Sequence, residues 1–339
     1  MREVGFFLFS MEGNTMRLEE LNEITNDYFL KDQGKATDIY FKSSYLMNEF
    51  MQKRKGLWER PAGGKLIRVP LEYDESEGGA YTRNDPLSSD DREIIDAAYF
   101  EWKHYYANAT VYRTDKLMNA GAYAEVQLVA AKLKNAQKTA RKYIAQNIYT
   151  AAGDTDRHLT GLLSMCSETT TTDYGTIAED DLVSRDGTKH WEGKTTAAYA
   201  GAISLDTLRS VRSAAKIYDG ADGKPDTAVM TETLWNKVAS VLQTQQRFVK
   251  DADTAKAGFQ HLEFEGMLVA VDDFVPAGYM FQLNSNNFGW AVHADGYFAR
   301  TSWENLTTGP AGQTMKIFWD GNIICNNRKA HIAASGLTA

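Results

Sequence analysis

Residues that could move protons, hold metals or attack a substrate occur throughout the 339-residue chain, but their spacing decides whether they can cooperate. The six histidines, His104, His158, His190, His261, His293 and His331, are scattered. No pair has the HxxxH or HExxH spacing that sets two imidazoles on one helical face around zinc. Asp272-Asp273 ends a strand-like run, a common place for metal-binding carboxylates, but the following "FVPAG" reads as a strand-ending turn. The acidic tip "EYDESEGG", Glu72 to Gly79, offers paired carboxylates for acid–base work. Such pairs need partial burial to separate their pKa values, and a solvated tip provides none. Neither a GxxxxGK[ST] phosphate loop nor a GxSxG elbow occurs, and the glycines of "YDGADGKP" are turn glycines. Cys166 and Cys325 have no CxxC spacing and no histidine beside them in sequence. A reducing compartment is the natural reading for so few thiols. The expectation is no catalytic, cofactor-binding or metal-ligating residue, and no cofactor.

Composition narrows the classes further. Hydrophobic residues make up 43% and charged residues 24%, which suits one large or two ordinary globular domains. A net charge of −8 argues against a sequence-wide nucleic-acid binder, which would cluster Lys and Arg against phosphate. No apolar run approaches the roughly 20 residues that span a bilayer. The opening "MREVGFFLFS" lacks the basic region and cleavage site of a signal peptide. Met11-Glu12-Gly13 can be encoded with the string GGAGG, a bacterial ribosome-binding sequence, a few bases before the codon of Met16. Residues 1–15 are therefore expected to be a mistranslated leader or a disordered tail, with Met16 as the natural start.

The elements follow from periodicity. Residues 16–54 read as two short helices, an arm rather than a domain. "EIIDAAYFEWKHYYANATVYRT" returns to strand character, ending in alternation. Val126, Val129, Leu133, Ala136, Ala140, Tyr143 and Ile144 then form a three-four stripe in a helix expected from about Ala122 to Ala151, roughly 45 Å long. Residues 154–200 are loop-rich. "SLDTLRSVRSAAKIYDG" is a helix capped by Ser204 or Asp206 and stopped by Gly220. "TAVM", the helix "TETLWNKVASVLQT", and three strands in "HLEFEGMLVAVDDFVPAGYMFQLN" complete a second unit. "GQTMKIFWDG" and "NIICNNRKAHIA" read as two further strands. The chain is α+β, with the second unit inserted between parts of the first.

One stretch, "GGKLIRVPLEYDESEGGAYTR" from Gly63 to Arg83, poses a packing problem. Ile67, Val69, Leu71 and Tyr73 alternate with Arg68, Pro70 and Glu72, the period of a half-buried strand. Pro70 in mid-run places that strand at an edge. Its acidic, glycine-rich tip offers nothing to pack on, and the pattern alone does not say what covers the apolar face.

Four stretches in order, "KGLWERPAGGKLIRVPLEYD", "YFEWKHYYANATVYRTDKLMNAG", "SLDTLRSVRSAAKIYDGADGKPDTAVMTETLWNKV" and "FEGMLVAVDDFVPAGYMFQLN", resemble the major capsid proteins of tailed bacteriophages with the Hong Kong 97-type fold. The resemblance covers nearly the whole chain from Met16. It implies an N-terminal arm (16–59), an extended E-loop (60–105), a peripheral domain with the spine helix 122–151 (106–200, with a return at 291–339) and an axial domain (201–290). It implies a virion coat protein, not an enzyme, assembled in the host bacterial cytoplasm. It also implies that another copy of the chain covers the apolar face of the Gly63–Arg83 stretch, so that Lys65, Ile67, Arg68, Val69, Leu71 and Tyr73 are inter-subunit contacts, and Ile67→Asp with Val69→Asp would block assembly while leaving the monomer folded. Hexamers and pentamers would tile an icosahedral shell around double-stranded DNA, without sequence-specific binding and without a membrane. A separate scaffolding protein and a portal are the expected partners. Some family members cross-link subunits through a loop lysine; Lys65 is the only lysine between Arg60 and Lys103, but no acceptor aligns and cross-linking is not expected. An encapsulin-type compartment shell and a soluble α+β enzyme with an unrecognised site are the alternatives.

Overall fold

The computed structural model describes residues 44–83, 85, 87, 93–118, 122–168, 173–196, 200–215, 217, 223–242, 261–306 and 311–339. The leader expected at 1–15, the arm up to residue 43 and the stop at Gly220 lie outside these residues. The arm's described end is a buried π-helical turn, Met47–Gln52, with Phe50 set edge-on to Phe288 at 4.9 Å.

Two sheets organise the chain. The first is built on one long strand, β14 (Gly312–Cys325). It pairs antiparallel along one side with β4 (Lys103–Tyr112), and along the other with β11 (Phe288–Val292), β12 (Ala299–Arg300) and β13 (Glu304–Asn305). β1 (Leu57–Glu59) adds parallel to β11. At Gly289 a Cβ would lie 1.8 Å from the Leu57 carbonyl oxygen, so only glycine lets β1 approach this closely. The sequence alone suggests two strands between Gly312 and Ile332. The break falls later instead: Gly321 continues β14, opposite Lys103, and the turn comes at Asn326-Asn327.

The expected long helix is α2 (Ala122–Asn147), following the short α1 (Arg113–Met118). Its stripe Val129, Leu133, Ala136 and Ala140 is buried against Ala107, Ala109 and Val111 of β4 and Met315 and Ile317 of β14. Alanines on both sides let helix and sheet approach closely. Tyr143, counted in the stripe, is instead 53% exposed. Towards its C-terminal end the helix buries Ile144 and Ala145, with Ile148 just beyond, and Tyr143 is left on the flank.

The second sheet runs β5 (Thr195–Thr196), β15 (Ile332–Ala334), β10 (Met280–Leu283), β7 (Thr227–Met230), β9 (Met267–Val271), β8 (His261–Phe264). Helices α4 (Leu205–Ala214) and α5 (Glu232–Val241) bury Leu208, Val211, Leu234 and Val238 in its core. Ser204 caps α4, its hydroxyl accepting the Thr207 N–H at 3.1 Å; Asp206 lies inside the first turn. The two sheets share a central core in which Trp290, Trp319 and Ile323 of the first join Val229, Phe281 and Ala333 of the second. The short α3 (Leu162–Met165) packs there too.

Buried polar groups fix the connections. Arg328, 1% exposed, donates to the carbonyls of Met165, Trp191, Ser164 and Ser167 and lies over the Tyr174 ring. It thereby gathers the loop-rich segment onto the core. Cys166 and Cys325 are free and buried beside it. Burial pushes both thiols up, Cys325 to about 12, so neither is a reactive thiolate. His331 is fully buried, its Nδ1 accepting the Asn284 N–H at 3.2 Å.

Burial pulls the His331 pKa down from 6.5 to about 4. The unfolded chain therefore binds a proton that the fold excludes between these values, so this contribution is complete above pH 6.5 and lost as pH falls towards 4. Asp272 carries the opposite sign, since burial raises it to about 6. Comparing variants isolates the histidine: denaturant unfolding should show the parent losing on the order of 3 kcal/mol more than His331→Gln between pH 6.5 and pH 4.

Candidate assembly surface

The groups capable of chemistry are placed for structure. Asp272, 1% exposed, accepts from the Ser44 hydroxyl at 3.0 Å and from the backbone N–H groups of Leu46 and Phe274 at 3.3 and 3.1 Å. It ties the arm to the turn after β9, while its neighbour Asp273 faces solvent. The acidic tip meets Ser184, Arg185, Asp186 and His190 across a cleft of about 560 Å³. Ser184 lies 2.9 Å from His190 Nε2 and donates to Asp186. The carboxylate therefore holds the serine rather than orienting the imidazole, and a nucleophile–base–orienter relay is not formed. Among the described residues no cluster of His, Cys, Asp or Glu could hold a metal ion.

The hairpin of β2 (Leu66–Glu72) and β3 (Ile95–Glu101) is different, because one of its faces is buried and the other carries exposed apolar side chains. The strands pair antiparallel, Arg68 opposite Tyr99, Pro70 opposite Ala97 and Glu72 opposite Ile95. They belong to neither large sheet, so Pro70 sits on an edge strand as its missing N–H requires. On the inner face Ile67, Val69 and Leu71 are 2%, 4% and 6% exposed. This corrects the expectation that another copy covers them. The cover is the chain's own: the Tyr99 N–H donates to the Gly175 carbonyl at 2.8 Å, and Phe100 stands edge-on to Tyr174 at 5.2 Å. Gly175 has φ +64° and a Cβ there would lie 2.9 Å from that of Ala98, so Tyr174-Gly175 fits flush only as glycine. The "DYG" after the threonine run was the available signal, unread because its partner lies some 75 residues earlier.

The outer face and loop are open. Tyr99 is 36%, Ile95 58%, Tyr81 67% and Leu87 68% exposed. Lys65 and Arg68 are exposed beside them and Tyr73 is half-buried. Of the six candidate contacts, then, Lys65, Arg68 and Tyr73 reach solvent, and Ile67, Val69 and Leu71 hold the hairpin down. A second open surface lies along β4, whose far edge has no strand partner among the described residues. There Tyr106 and Tyr143 flank a groove of about 550 Å³ with Asn108, Asn135, Arg157 and His158. Tyr106 was legible as the outward half of an alternating strand; the groove itself needed the helix's position.

An α+β chain with a long helix laid on a sheet, a projecting hairpin and a second helix-bearing sheet has close structural counterparts. The capsid of cyanophage A-1(L) superposes with TM-score 0.63 at 15% identity, over 88% of this chain and 94% of that one. The capsid of a native GTA particle gives 0.56 at 14% identity over 84% and 89%, and Mycobacterium phage Adephagia 0.55 at 12% over 88% and 91%. The SrpI encapsulin of Synechococcus elongatus PCC 7942 gives 0.52 at 8% identity, over 85% and 86%. The fold is thus the Hong Kong 97-type fold of phage capsid proteins. Residues 113–338 match the SU10 major capsid protein family, and the chain belongs to that family: it is a structural coat protein of a phage virion, not an enzyme. No curated protein sequence matches the chain.

The corrected role of Ile67 reverses the expected effect of changing it. Ile67→Asp places a charge in a face closed by Phe100 and Tyr174, so the isolated subunit should lose about 3 kcal/mol or more in denaturant unfolding. Arg68→Glu on the outer face should move stability by under about 0.5 kcal/mol.

Proposed function

We propose that copies of this chain form hexamers and pentamers that close an icosahedral shell around double-stranded DNA, joined through the outer face of the β2–β3 hairpin and the loop beyond it. The observation that carries the reading is the set of bare side chains on that one projection, Tyr81, Leu87, Ile95 and Tyr99. Monomeric proteins rarely leave such a grouping open, whereas a heterologous contact that closes into a ring covers it. Lys65 and Arg68 towards its root and Tyr73 beside the tip are the other candidate contacts.

The proposed division is an arm (16–59), an E-loop (60–105), a peripheral domain (106–200 and 291–339) and an axial domain (201–290). Supporting it, α2 provides the spine of the first sheet, and β7 to β10 lie within the axial range. The axial sheet also takes β5 and β15 from the flanking ranges, so the two domains would move as one packed unit. The net charge of −8 suits a wall past which DNA slides without adhering. Assembly in the host cytoplasm with a scaffolding protein and a portal completes the reading. An encapsulin-type role has only the shared fold in its favour, while the family match is to viral coat proteins.

Changing the bare face while sparing the buried one tests the contact. Ile95→Asp with Tyr99→Ala should keep the subunit's unfolding midpoint within a degree or two yet reduce shell formation at least about tenfold by sedimentation velocity. Normal yields of shells from this variant would remove the hairpin from the interface.

A further inference from the structure

The tip of the loop is fastened to its own subunit. Asp74 Oδ1 accepts the backbone N–H of Arg185 at 3.1 Å, and the Arg185 guanidinium lies 3.5 Å from Glu77. Arg185 stands on a turn that is already rigid: the Ser184 N–H donates to the Thr188 carbonyl at 3.0 Å, that of Gly187 to the Ser184 carbonyl at 2.9 Å, and that of Thr188 to Asp186 at 3.0 Å. A prepared donor thus meets an acceptor carried on irregular chain. The root of the same hairpin is held quite differently, by the dry packing of Ile67, Val69 and Leu71. The tip's fastening is polar, exposed and set in an open cleft, where an ion pair contributes little. Beyond the fastening, Tyr81 and Leu87 remain uncovered.

Resting on the shell reading above, we propose that Arg185 is an intramolecular latch, which parks the acidic tip on its own subunit and releases it when the loop engages a second copy. The carboxylates of Asp74 and Glu77 cannot stay on Arg185 while the chain that bears them reaches a neighbour. The self-contact therefore competes with assembly and raises the concentration at which subunits associate. Among the described residues the other charged or titratable groups lining the cleft are Glu72, Tyr73, Glu75, Asp186 and His190, so Arg185 faces a mostly acidic wall.

The test has two arms. Spin labels at Gly79→Cys, where a Cβ meets open space, and at the exposed Val183→Cys report the tip-to-turn distance in the unassembled subunit, since Cys166 and Cys325 are buried. The parent should give a narrow distance distribution that broadens when both contacts are removed, in Asp74→Ala with Arg185→Ala, and not in Lys189→Ala, which breaks a pair with Asp180. Without labels, the Asp74→Ala, Arg185→Ala double variant should lower the free-subunit concentration in equilibrium with shells by about two- to fivefold, and Lys189→Ala should leave it unchanged. An unbroadened distribution, or a free-subunit concentration that is unchanged or higher in the double variant, overturns the latch. Failure of the parent chain to form shells at any concentration when its scaffolding protein is supplied overturns the shell reading instead, while the distance arm still reports on the self-contact.

Discussion

The structure depends on the packing of one helix stripe against one pair of strands. Val129, Leu133, Ala136 and Ala140 press on Ala107, Ala109 and Val111, and β4, which carries that alanine face, is hydrogen-bonded along its whole length to β14. β3 and β4 are separated only by Trp102, so the ribbon that seats the helix also carries the hairpin outward. Trp102 fixes the angle of departure: its Nε1 donates to the Gly64 carbonyl at 3.0 Å and its ring meets His293 edge-on at 5.5 Å.

Burial divides the hairpin into two jobs. The inner face uses its apolar side chains for attachment to the subunit, and the outer face leaves Ile95 and Tyr99 exposed. A two-stranded hairpin is marginal alone in water, so attachment of one face is the condition for presenting the other. The sequence pattern reports alternation but not ownership: period two says that one face of β2 is covered, and it is silent on whether the cover comes from the same chain. That is why Ile67, Val69 and Leu71 read as inter-subunit contacts until Tyr174 and Gly175 are seen against them.

Elements governed by local physics were legible. The long helix α2, the capped helix after Ser204, the fully buried "TAVM" strand and the turn at Asp272 all follow from spacing and capping within a few residues. What escaped depends on residues far apart in sequence. The unbroken course of β14 through Gly321 is set by Lys103 more than 200 residues earlier, and the exposure of Tyr143 by where the helix overhangs the sheet. The structural role rests on membership of the capsid family, which no spacing of individual residues carries alone.

The most direct measurement is electron cryomicroscopy of particles assembled from the purified chain. The account requires closed icosahedral shells in which the outer face of β2–β3, with Ile95 and Tyr99, lies against a neighbouring copy while Ile67, Val69 and Leu71 stay buried within their own subunit. Shells in which Ile95 and Tyr99 face solvent would contradict it.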